Sequence, residues 1–189
     1  MAQRRVGYFV GSLSSTSINR TLSRALIRVA PPALEFTEIP IGSLPLYSPD
    51  FDADYPPEAL ALKAAIAESD AVLFVTPEYN RSIPGALKNA IDWASRPWGQ
   101  NSFDHIPAAV IGASIGSIGT AVAQQSLRGV LSFCNARQMT APEAYIHFSD
   151  DVFSSDGEVK VESTATFLRE YMSEFHDHIE RVLTVLPRS

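Results

Sequence analysis

Short apolar runs alternate along this chain with stretches of helical period, and that alternation leaves few architectures open. The runs at residues 5–10, 71–76 and 108–113 are almost continuously apolar, as strands covered on both faces must be, and another strand is expected at 34–39, where Leu34, Phe36 and Ile39 stand among two glutamates and a threonine. A fifth is expected near 138–141, resuming near 145–148. Between them the apolar spacing changes to i, i+3, i+4, i+7. Leu22, Ala25, Leu26 and Val29 form one such stripe, and Leu87, Ala90, Ile91 and Ala94 form a second. A third is Leu127, Val130, Leu131 and Cys134. A last helix is expected over 164–186, with Tyr171, Phe175, Ile179, Val182 and Leu186 facing inward. Strands that alternate with helices in this way predict an α/β sheet with parallel strands.

In such sheets ligands sit beyond the carboxyl ends of the strands, where the strand order reverses. Two of the strand-to-helix handovers there carry concentrated chemistry. Residues 11–19 read Gly-Ser-Leu-Ser-Ser-Thr-Ser-Ile-Asn, with five hydroxyls in the six positions 12–17. A helix start offers free N–H groups and the positive end of its dipole to an anion. The alternative is that Ser17 or Asn19 only caps the helix, which accounts for one such residue and not for the whole set. The loop lacks the later glycines of a dinucleotide fingerprint and the Gly-Lys-Ser/Thr ending of a triphosphate loop.

Residues 77–85, Pro-Glu-Tyr-Asn-Arg-Ser-Ile-Pro-Gly, form the second handover. Tyr79 can border a planar ring, and Asn80 offers a donor and an acceptor to a heterocycle edge. The same string is also ordinary turn chemistry. A phosphate grip beside a flat-ring grip is what a mononucleotide cofactor demands. A third segment, 112–120, holds three glycines; its backbone can approach a ligand closely or simply connect a strand to a helix.

The 189 residues suit a single domain spanning 1–189, with no repeat or linker to divide it. One connection, 40–57, is long and holds five prolines and two tyrosines. Its Leu44, Leu46 and Tyr47 are too apolar for disorder, and it is expected to cover a pocket rim or a subunit contact. No apolar run nears the roughly 18 residues of a membrane helix, and residues 1–5 lead straight into a strand with no signal-peptide pattern. The net charge of −6 argues against a nucleic-acid surface. A lone cysteine, Cys134, forms no intrachain disulfide, lies on an apolar stripe as filler, and suits the cytoplasm. His176 and His178 do not share a helix face, no cluster has zinc spacing, and no metal is expected. Asp52 and Asp54 read as solvated.

The string PEYNRSIPGALKNAIDWASRP at 77–97 strongly resembles the NADPH-dependent FMN reductase family, which includes chromate-reducing quinone reductases and azoreductases. GSLSSTSIN and GASIGSIGT stand in the matching places, so the resemblance runs over about 6–148. It implies a flavodoxin-like fold: a doubly wound, five-stranded parallel sheet in the order 2-1-3-4-5 with helices on both faces. It also implies FMN as cofactor, NADPH or NADH as co-substrate, a small-molecule electron acceptor, and a homodimer or homotetramer. Carried over by position, the phosphate loop comprises Ser12, Ser14, Ser17, Ile18 and Asn19. The ring site comprises Pro77, Glu78, Tyr79 and Asn80, and the glycine loop adds Ser114 and Gly116. Many relatives have arginine where this chain has Ser14, so its phosphate grip is less cationic. Arg81 is assigned to the nicotinamide nucleotide's phosphate. No side chain is assigned a catalytic role, since the chemistry belongs to the flavin N5. The rival expectation is a flavodoxin-type electron carrier, which shares the fold.

Overall fold

The computed structural model describes residues 3–187. Strands β1 (Arg4–Val10), β2 (Leu34–Glu38), β3 (Ala71–Val75), β4 (Pro107–Ser114) and β5 (Arg137–Gln138) lie in the order β2-β1-β3-β4-β5. The described pairings among them are all parallel. The chain builds β2 and β1 outward, then crosses back over β1 to place β3 on its other side. The switch point therefore falls between β1 and β3, the flavodoxin-like arrangement.

The helices are α1 (Ile18–Val29), α2 (Pro57–Ala67), α3 (Gly85–Ala94), α4 (Ala121–Phe133) and α5 (Glu162–Val185). They cover both faces, and β3 is buried along its whole length. Alternate residues of β3 feed opposite cores, as the period of a strand requires. Val72 and Phe74 join Phe9, Trp93 and Phe103 on the side of α2, α3 and α4. Ala71, Leu73 and Val75 join Leu22, Leu26, Tyr171 and Phe175 on the side of α1 and α5. Phe9 and Phe74 stack at 4.8 Å across β1 and β3, and Tyr171 donates its hydroxyl to Val110 O at 2.9 Å.

The fifth strand is interrupted. β5 pairs with the start of β4, and a separate segment, β6 (Tyr145–His147), pairs with its end. The last helix starts two residues before the expected point. Its Val182, and Leu186 just past its end, are half-buried rather than inward, as is Val130 on α4.

The 40–57 connection folds back on α3. Trp93 Nε1 and Asn89 Nδ2 both donate to Pro45 O, at 2.7 and 2.9 Å. Tyr47 and Tyr55 meet the Trp93 ring edge-on at 5.1 and 5.0 Å. Leu44 and Tyr47 are thus committed to the core, and Leu46 stays exposed. Asp52 is not simply solvated, since it accepts from the Tyr47 hydroxyl at 3.0 Å; Asp54 is exposed. Cys134 is buried just after α4, and burial pushes its thiol pKa up. His178 hydrogen-bonds Arg137 O at 2.7 Å, and burial pulls its pKa down.

Candidate functional site

Three loops converge beyond the carboxyl ends of β1, β3 and β4 on an open cavity of about 280 Å³. Its walls are Ser12, Ser14, Thr16, Ser17, Ile18 and Asn19, then Pro77, Glu78 and Tyr79, then Ala113, Ser114 and Ile115.

The first loop is organised by its own backbone. Ser12 Oγ accepts from Ser14 N at 3.3 Å, Ser14 Oγ from Thr16 N at 3.2 Å, and Ser17 Oγ from Arg20 N at 3.3 Å. The O–H protons of Ser12 and Ser17 stay available to a ligand, whereas Ser14 Oγ and Thr16 Oγ1 hydrogen-bond each other at 3.2 Å and leave one proton of the two free. Ser12 and Ser17 are buried. Ser17 is the N-cap of α1, so capping and ligand donation are open to the same hydroxyl. The N–H groups of Ile18 and Asn19, in the first helical turn, have no hydrogen-bond partner among the described residues. These are the donors a helix start leaves free.

Asn19 lines the cavity with its side chain committed elsewhere. Its side-chain amide donates to Ala113 O and accepts from Ala113 N, both at 2.9 Å, and it is 1% exposed. The side chain staples α1 to the end of β4, so only its backbone N–H is free for a ligand. The two buried bonds together contribute on the order of 2 kcal/mol.

The second loop ends in a tight turn. Tyr79 and Ser82 exchange backbone hydrogen bonds of 2.9 and 3.0 Å across Asn80 and Arg81. Both central residues have positive φ, 51° and 65°, the pattern of a type I′ turn. The turn presents Tyr79 half-exposed at the cavity edge and carries Asn80 and Arg81 off the wall. Glu78 turns inward, with Oε2 accepting from Val122 N at 3.1 Å and Ala123 N at 3.0 Å on α4. Its other oxygen accepts from Arg81 at 3.2 Å.

In the third loop Ser114 Oγ accepts from Gly116 N at 3.0 Å. That bond occupies the Gly116 N–H, and Gly116, expected at the site, is not on the wall. The approach of strands needs glycine at position 112, where a Cβ would lie 2.1 Å from Thr76 O.

Thr16, Ala113 and Ile115 line the cavity without having been assigned there. Thr16 had a signal in the hydroxyl count; the other two owe their place to where β4 ends. Among the described residues no lysine, arginine, histidine or cysteine lines the cavity. Arg20 gives its guanidinium to Glu38 at 2.6 Å, a bond that holds its pKa above the ordinary value. The cavity can therefore hold an anion through hydroxyls and helix N–H groups, beside an aromatic edge. It offers no free nucleophile, and its one carboxylate is fully engaged.

The sequence pattern of the NADPH-dependent FMN reductase family matches residues 4–151. A 2-hydroxy-1,4-benzoquinone reductase from Burkholderia sp is 46% identical over 171 residues, covering 90% of this chain and 93% of that protein. A quinone reductase from Escherichia coli (strain K12) is 37% identical over 177 residues, with 92% and 94% covered. Among solved structures, the flavoenzyme NAD(P)H:(acceptor) oxidoreductase FerB from Paracoccus denitrificans superposes with a TM-score of 0.91 at 48% identity. It covers 94% of this chain and 98% of its own.

Proposed function

The chain belongs to the NADPH-dependent FMN reductase family, and we propose that it is an FMN-dependent oxidoreductase that takes electrons from NADPH or NADH and passes them to quinones. The observation that carries this is the first loop. Its backbone-oriented hydroxyls and free helix N–H groups meet the Tyr79 turn around one cavity, in a chain 46% identical to a quinone reductase. The donor set fits FMN: oxyanion donors stand at one wall and an aromatic edge at another.

In this reading Ser12, Ser14, Thr16, Ser17 and the N–H groups of Ile18 and Asn19 hold the phosphate. Pro77, Glu78 and Tyr79 border the ring on one side, and Ser114 borders it on the other. When bound, FMN supplies the hydride and two-electron chemistry. The chain orients that group and leaves access for the nicotinamide and the acceptor in turn, which predicts ping-pong kinetics. Its own residues move no proton, because the Glu78 carboxylate is held by two N–H groups and a guanidinium. Arg81, with its side chain 68% exposed, offers the guanidinium N–H groups that Glu78 does not take to a phosphate of the nicotinamide nucleotide. Asn80 and Gly116 act through the shape of their loops.

Flat or small oxidants such as azo dyes and chromate fall within the same acceptor range. Exposed Leu13, Tyr79, Ile115 and Ile118 support a homodimer or homotetramer in which a second copy covers this rim. No helix of the described residues is long and apolar enough to cross a membrane, and the lone buried cysteine is consistent with a cytoplasmic setting.

The test is anaerobic reduction of the FMN-loaded protein by NADPH and by NADH, followed by reoxidation with a panel of quinones. The expected result is bleaching of the flavin bands by nicotinamide alone and their recovery with quinone. A flavin that nicotinamide cannot reduce without a partner reductase would establish the electron-carrier reading instead.

A further inference from the structure

Glu78 is the one acidic side chain on the cavity wall among the described residues, and its bonds are long-range. Val122 and Ala123, which share its Oε2, lie 44 and 45 residues further along the chain. They belong to the first turn of α4. That helix has no acidic residue in its first turn, and its N-cap, Thr120, makes no side-chain capping bond. Glu78 supplies the missing cap from another loop, with a side chain only 9% exposed. Its second oxygen holds Arg81, one of two non-glycine residues at positive φ in the Tyr79 turn. A turn held in that region needs support from its surroundings. One carboxylate thus grips the turn on one side of the cavity. On the other side it grips the helix into which the 115–120 loop runs.

We propose that Glu78 is a positioning residue for the flavin ring: it fixes the spacing between the Tyr79 turn and the 115–120 loop, and its charge disfavours added charge on the ring. The inference rests on the reading of the cavity as an FMN site. A residue that merely capped α4 would affect folding alone. A positioning residue also sets the affinity of the folded apoprotein for FMN and the midpoint potential of bound FMN.

Glu78→Ala and Glu78→Gln separate these roles when three quantities are measured: apoprotein melting temperature, FMN dissociation constant and midpoint potential. Glu78→Ala is expected to lower the apoprotein melting temperature and to weaken FMN binding roughly tenfold or more, because it removes an acceptor shared by charged and backbone donors. Glu78→Gln keeps one acceptor for the α4 N–H groups, turns an NH2 toward Arg81 and removes the charge. It should weaken FMN binding less than Glu78→Ala does and raise the midpoint potential, since a nearby negative charge no longer opposes the reduced ring. If Glu78→Ala does not fold, the potential of Glu78→Gln decides. Wild-type affinity in folded Glu78→Ala, or an unchanged potential in Glu78→Gln, would overturn the inference while leaving the FMN site standing. A parent protein that takes up no FMN would overturn the site reading, and this inference with it.

Discussion

At the amino ends of β4 and β5 lies a cavity of about 400 Å³, lined by Arg96, Trp98, Asn101, Phe133 and Cys134 among others. At the carboxyl ends of β1, β3 and β4 lies the smaller one of about 280 Å³. The larger is walled by side chains: Trp98 and Phe133 are exposed, and the Arg96 guanidinium sits over the Trp98 ring at 5.5 Å. Of the twelve residues around the smaller, five are serine or threonine. Parallel strands send every following helix the same way, so helix starts gather at one end of the sheet and helix ends at the other. The two ends therefore call for opposite charges. At the carboxyl end, α4 receives the Glu78 carboxylate. Near the amino end, Lys63 donates to Ala94 O, Arg96 O and Gln100 O at 3.1, 2.7 and 2.6 Å, closing the end of α3. Helix polarity, and not volume, marks the end suited to an anion.

Four substitutions sharpen or break this contrast. Asn19→Ala should have the largest effect, at the carboxyl end. It strips both partners from the buried Ala113 N–H and C=O and should cost about 2–4 kcal/mol in urea unfolding. A loss under about 0.5 kcal/mol would mean the staple is replaceable. Lys63→Met acts at the other end. Removing a cation shared by three carbonyls should cost roughly 1.5–3 kcal/mol of stability and leave the FMN affinity of the folded protein unchanged. A change in that affinity would break the separation of the two ends.

Ser17→Ala should show both of its roles. Loss of the α1 cap costs about 1 kcal/mol of apoprotein stability. Loss of a donor to a phosphate weakens FMN binding by about 1.5–3 kcal/mol. Stability loss with wild-type binding would leave Ser17 as a cap alone. Cys134→Ala should be the mildest. The thiol lines the larger cavity and burial pushes its pKa up, so it is no ready nucleophile. Turnover should match the parent with about 1 kcal/mol of destabilisation; an inactive, folded, FMN-loaded variant would overturn a structural role.

How far the sequence reveals this molecule depends on the range of the interactions. β1, β3 and β4 are buried on both faces, so their apolar runs are unmistakable. The break between β5 and β6 was also legible, because residues 142–144 interrupt the run. The hydroxyl loop is local, its bonds reaching two or three residues along the chain, and its chemistry follows from composition. What stayed hidden is contact across the fold. Nothing near Asn19 announces that its amide is used up 94 residues away. Nothing near Glu78 announces α4. The 40–57 loop reads from its apolar residues as a cover for a pocket rim or a subunit contact, and nothing in it announces that Leu44 and Tyr47 also serve the core around Trp93. Gly116 was assigned to the site, yet Ser114 takes its N–H, a turn detail that residue type alone does not specify.

Titration of the apoprotein with FMN and with riboflavin, which lacks only the phosphate, tests the central claim most directly. If the carboxyl end of the sheet is an anion site built from hydroxyls and helix N–H groups, FMN binds at least roughly tenfold more tightly than riboflavin, as expected when several charge-assisted hydrogen bonds are lost together. The Ser17→Ala variant then narrows that gap and Lys63→Met leaves it intact. Equal affinity for the two flavins, or a gap that Ser17→Ala does not change, would contradict the account.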